Sequence, residues 1–63
     1  MDKNDCIAQL SKRMGSEGSH QQAELLYDYI RENTDYIYIA DNELYMRQIS
    51  ENEFLAMWAA AVH

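Results

Sequence analysis

Apolar residues recur at three- and four-residue spacings at the start of the chain and at alternate positions in its middle, and this change of period sets the order of elements. Ile7, Leu10 and Met14 fall on one helical face. Asp2, Asn4 or Asp5 can cap such a helix, Lys12 and Arg13 complement the dipole in its last turn, and Gly15 ends it, which predicts a helix over about residues 4–14. Residues 15–19, Gly-Ser-Glu-Gly-Ser, offer nothing to bury and read as a mobile connection.

A second helix is predicted over about residues 20–32. Ser19 and Gln22 fit a capping box, Ser-x-x-Gln, in which each side chain satisfies a backbone N–H left free at the helix start. Ala23, Leu26, Tyr27 and Ile30 then form the stripe i, i+3, i+4, i+7, with Leu25 and Tyr29 on its flanks and Asn33 as the stop.

The period then drops to two. Tyr36-Ile37-Tyr38-Ile39 and Leu44-Tyr45-Met46 are rich in strand-favouring residues on either side of Asp41-Asn42, so residues 35–49 read as a hairpin. An even-length turn sets Ile37 and Ile39 on one face with Leu44 and Met46, and Tyr36, Tyr38, Tyr45 and Arg47 on the other, whereas a three-residue loop scrambles both faces.

The last helix is predicted over about residues 51–62. Ser50 and Glu53 form Ser-x-x-Glu, while Ile49 and Phe54 occupy the two positions of a hydrophobic staple. From Phe54 to Val62 this helix is apolar on every side, which asks for cover on every side. One side is expected to cover Ile37, Ile39, Leu44 and Met46. The other, around Phe54, Leu55, Trp58 and Val62, has no obvious partner among 63 residues, and twofold self-association through this helix is the expected solution. The fold class is therefore α+β: a small single domain spanning residues 1–63, helix–helix–hairpin–helix, with a two-stranded antiparallel ribbon leaning on helices.

Length and composition narrow what such a domain can be. A chain this short buries little core, and small domains commonly compensate with disulfides, a metal or association. Cys6 is the single cysteine, so no intrachain disulfide forms, and Cys6, His20 and His63 are too few to close a zinc site. No metal and no cofactor is expected. The charged start Met1-Asp2-Lys3-Asn4-Asp5 lacks the apolar region of a secretory signal, and the longest apolar run, nine residues, is less than half the ~20 that a membrane helix needs. A soluble, cytoplasmic protein without membrane contact is expected.

Net charge is −6 and unevenly placed: residues 1–31 carry five acids and four bases, residues 32–63 six acids and Arg47 alone. An acidic second half repels phosphate backbones and favours basic protein surfaces.

Chemistry finds little footing here. Cys6 stands at a helix start with no histidine near it in sequence and reads as a small, half-buried apolar residue. Asp41 and Glu43 at a turn, and Glu51 and Glu53 in a first helical turn, are explained by solvation, capping and the helix dipole. No glycine-rich phosphate loop is present, so no catalytic residues are assigned and no enzyme is expected.

Two nucleic-acid readings follow from the same residues. Two helices joined by a glycine-containing turn have the outline of a helix-turn-helix, with Gln21 and Gln22 able to read adenine, but five Lys and Arg residues supply too few phosphate contacts. The opposite reading is mimicry, in which Asp35, Asp41, Glu43, Glu51 and Glu53 imitate phosphates to occupy a DNA- or RNA-binding protein.

The tyrosines carry the preferred expectation. Tyr36, Tyr38, Tyr45 and Arg47 on the outward hairpin face are the residue types that dominate interface hot spots, and Asp41 and Glu43 would steer a basic partner toward them. The expected function is that of a small acidic module that binds and modulates, or inhibits, a larger basic-surfaced protein, itself acting as a homodimer. In size and charge it resembles the small acidic accessory proteins of phages and mobile elements.

Overall fold

The computed structural model describes all residues, Met1–His63. Helix α1 covers Lys3–Met14, a 3₁₀ turn follows at Gly15–Glu17, α2 covers His20–Asn33, strands β1 (Ile37–Ala40) and β2 (Glu43–Met46) form an antiparallel hairpin, and α3 covers Glu51–Val62. The order helix–helix–hairpin–helix and the α+β class are those the residue pattern predicts.

Each helix begins on a side-chain cap. Of the three candidates at α1, Asp2 is the cap: its carboxylate accepts from the Asp5 N–H at 2.8 Å while the Asp5 carboxylate accepts from the Asp2 N–H. Ser50 caps α3 by accepting from the Glu53 N–H, and Ile49 and Phe54 are both buried beside it as the staple requires. Ser19 caps α2 by accepting from the Gln22 N–H, but the reciprocal half of the box is absent, because the Gln22 side-chain oxygen accepts instead from the Trp58 indole N–H at 3.3 Å. The connection after α1 is also more ordered than its glycines suggest. Gly15 adopts φ +68, its N–H bonds back to the end of α1, and Gly18 lies so close to Met14 that a Cβ there would sit 2.6 Å from that side chain.

Helix α2 is the central element, with α1 on one flank, α3 on another, and β1 against it. Thirteen buried residues form one core, all of them apolar or sulfur-bearing side chains apart from the phenol of Tyr27. α1 contributes Cys6, Ile7, Leu10 and Met14; α2 contributes Ala23, Leu26, Tyr27 and Ile30.

The hairpin turns through Asp41 and Asn42 with φ of 51 and 63, the two positive values of a type I′ turn. Ile37 pairs with Met46, Tyr38 with Tyr45, Ile39 with Leu44 and Ala40 with Glu43, and the Arg47 N–H donates to the Tyr36 carbonyl below the last pair. Isoleucines and tyrosines therefore occupy opposite faces.

Two packing expectations need correction. Ile37 and Leu44 are buried, but Ile39, on the same face and paired directly with Leu44, is 58% exposed, so at that rung the core covers β2 and leaves β1 open. Nor does α3 cover the hairpin; it lies against α2, burying Phe54 and Met57 and half-burying Trp58 and Ala61. Helix α3 is thus covered along one stripe rather than all round. The uncovered side includes Ala56, Ala59 and Ala60, whose small side chains leave little apolar area in water.

Candidate functional site

The outward hairpin face is organised around two stacked rings. Tyr38 and Tyr45 lie directly opposite one another with centroids 5.5 Å apart and planes inclined by 21°. The Arg47 guanidinium lies 5.4 Å from the Tyr38 ring centre, within the range of cation–π attraction. Tyr45 is 41% exposed, Tyr38 half-buried and Arg47 exposed. Glu43 joins them at the turn end, its carboxylate 3.4 Å from the Tyr45 hydroxyl, and Asp41 stands exposed beyond it in the turn.

Tyr36 belongs to the same face by register but does a different job. Its hydroxyl donates to the Glu53 carboxylate in the first turn of α3, tying the base of the hairpin to that helix. This bond, reinforced by partial burial, raises the phenol above its ordinary range. Of the six residues expected at a partner-facing patch, Tyr38, Tyr45, Arg47 and Glu43 come together on the outward face of the hairpin, Asp41 stands beyond them in the turn, and Tyr36 anchors the base.

The residues expected for self-association are divided by the fold. Phe54 is 1% exposed in the core, where the Arg13 guanidinium lies 4.5 Å from its ring centre, so it adds no area to an outer surface. Trp58 is half-buried, tilted against Phe54 and held by Gln22. Leu55 and Val62 are exposed, with Ala59 between them on the helix.

No group of three His, Cys, Asp or Glu side chains converges as a metal centre would require, and no helix is long and apolar enough to cross a membrane. Cys6 is fully buried rather than half-buried; burial pushes its thiol up, away from a reactive thiolate, against the opposing pull of the N-terminal ammonium. Burial likewise raises Tyr27.

The carboxylates proposed for phosphate mimicry do not form a free row. Glu53 is engaged by Tyr36 and Ser50, and Glu51 lies 3.5 Å from Arg13. Gln22, one of two candidates for reading a base, is occupied by Trp58. Sequence reasoning missed Arg13, which joins α1 to the start of α3 through the Ile49 carbonyl; an arginine in a last helical turn already has a sufficient local explanation in the dipole, so nothing in the sequence points further.

Comparison with family models, with curated proteins and with solved structures finds no match for this chain.

Proposed function

We propose that this chain is a small acidic binding module that docks on a larger protein through the outward face of its hairpin and modulates it, without chemistry of its own. The single observation that carries this reading is the Tyr38–Tyr45 stack with Arg47 over it, on the outward face of the hairpin and outside the core cluster. Stacked tyrosines give large contact area with few rotamers to immobilise, and they are preorganised here before any partner arrives. Asp41, Glu43 and an overall charge of −6 select a partner with a basic surface and speed the encounter.

Mimicry of nucleic acid is the weaker reading, since Glu51 and Glu53 are committed to the start of α3. Immobilised wild-type chain and two variants, Tyr38→Ala/Tyr45→Ala and Asp41→Asn/Glu43→Gln, offered to a lysate of the organism that carries the protein, test the proposal. A protein retained by wild type, lost with the tyrosine variant and captured more slowly by the amide variant is the expected result. Equal retention by all three overturns it, and elution by added DNA or RNA would favour mimicry.

A further inference from the structure

The hairpin has two free edges, and one of them is complementary to itself. Because Arg47 N–H bonds to the Tyr36 carbonyl, the hydrogen-bonded pairs of the ribbon are 36 with 47, 38 with 45 and 40 with 43. The backbone N–H and C=O groups of Leu44 and Met46 therefore point away from β1, and no other group of the protein bonds to them. The usual protections of an exposed edge, a proline, a bulge or a lysine, are all missing from β2. α2 packs against β1, and no group outside the hairpin bonds to the main chain of β2.

We propose that β2 pairs antiparallel with β2 of a second copy, about a twofold axis at Tyr45. In that register Leu44 faces Met46 of the partner, and the two such pairs each exchange two main-chain hydrogen bonds. The same register sets Glu43 opposite Arg47 of the partner, once on each side of the axis. Within one chain these two side chains lie four residues apart on a strand, about 13 Å, too far to pair with each other. Glu43 opposite Arg47 and Tyr45 opposite Tyr45 are the closer, non-hydrogen-bonded positions of the ladder, where cross-strand side chains interact most. Shifting the register by two residues either way loses both Glu43–Arg47 pairs and leaves one hydrogen-bonded pair of strand residues, Leu44 with Leu44 or Met46 with Met46.

The charge pattern extends past the strand. A groove of about 290 Å³ continues the β2 edge, with Gln9, Leu10 and Arg13 of α1 on one wall and residues 46–49 on the other. A protein of charge −6 thus meets its copy by matching Glu43 at the turn end of one hairpin to Arg47 of the other. Twofold pairing uses one edge per chain and closes, so no filament grows from it.

The product is a four-stranded sheet, β1-β2-β2-β1, whose outward face carries Tyr38, Tyr45, Tyr45 and Tyr38 in one row about 14 Å across, three strand spacings. The aromatic patch of one chain is half of this platform. The pairing does not rest on the partner-binding reading, and its readout needs no partner.

Solution mass as a function of concentration, by sedimentation equilibrium, tests it on wild type, Glu43→Arg, Arg47→Glu and the double reversal, all exposed substitutions whose folding circular dichroism verifies. The expected result is a concentration-dependent dimer of twice 7.4 kDa, weakened at least about tenfold by either single reversal and restored by the double. Slowed hydrogen exchange at the Leu44 and Met46 amides should accompany the dimer. A wild type that stays monomeric at the highest soluble concentration overturns the proposal. So does a dimer indifferent to both single reversals, which would move the contact to Leu55 and Val62 of α3, a double reversal that fails to restore it, or a dimer whose Leu44 and Met46 amides exchange as fast as in the monomer.

Discussion

Arg13, in the last turn of α1, donates from Nη2 to the carbonyl oxygen of Ile49 at 2.6 Å, linking positions 36 residues apart. Ile49 precedes the cap of α3, so this bond and the stacking of the same guanidinium on Phe54 fix where the third helix starts relative to the first. The fold depends on it more than on the neighbouring ion pair, since Glu51 is mostly exposed and such pairs contribute little.

Arg13→Met keeps the aliphatic stem and removes the donor. It should destabilise the protein by about 1–2 kcal/mol, the range of a hydrogen bond from a charged donor reduced for partial exposure. Glu51→Gln should cost less than about 0.5 kcal/mol. Urea unfolding of the two variants beside wild type checks this, and equal losses would show that the ion pair, not the bond to Ile49, holds the helices.

The turn makes a second prediction. Asn42 sits at φ 63, where glycine carries no steric penalty and a β-branched residue carries a large one. Asn42→Gly should be neutral or stabilising by up to about 1 kcal/mol, and Asn42→Val should destabilise by about 1–2 kcal/mol. Thermal unfolding measures both; a tolerated valine would mean that the turn is not of the I′ type.

Alkaline pH should weaken the fold. Cys6, Tyr27 and Tyr36 all hold their protons more tightly in the folded chain than their ordinary values of 9.0, 10.0 and 10.0. The folded state then binds more protons than the unfolded state through this range, so stability falls as pH rises. Their contribution is fully present below about pH 9 and is lost as pH climbs through the raised values. Tyr36→Phe should be less stable at neutral pH, having lost the bond to Glu53, and should show a shallower alkaline decline. Chemical unfolding at a series of pH values from neutral upward reads both effects, and an unchanged slope in Tyr36→Phe would remove Tyr36 from the account.

Much of this fold is written locally. The Ser50 cap, the Ile49–Phe54 staple and the alternation of Ile37, Tyr38 and Ile39 each express a preference that the structure adopts, although the Glu53 carboxylate accepts from Tyr36 and the Ser50 hydroxyl in place of the Ser50 N–H that would complete the capping box. What escaped the sequence is set by distance between elements. Alternation assigns Ile39 to the same face as Ile37 and Leu44 but says nothing of which strand the helices cover, and they bury Leu44 while leaving its partner Ile39 exposed. Gln22 matches a capping box in sequence, yet Trp58, 36 positions away, claims its oxygen. The uniform apolarity of α3 hides a single buried stripe, because alanine is permitted on either side of a helix. The tyrosine patch was legible as a face; that Tyr36 anchors while Tyr38 and Tyr45 stand free depends on where Glu53 falls.

Equilibrium unfolding distinguishes a displayed Tyr38–Tyr45 surface from a pair of rings that belongs to the core. Ile37, 2% exposed, is the proper core reference, since Ile39 is not buried. Ile37→Ala should cost about 2–4 kcal/mol, while Tyr38→Ala and Tyr45→Ala should each cost about 1 kcal/mol or less, the loss of one stacked pair. Tyrosine variants as unstable as Ile37→Ala would contradict a displayed surface and return both rings to the structural framework.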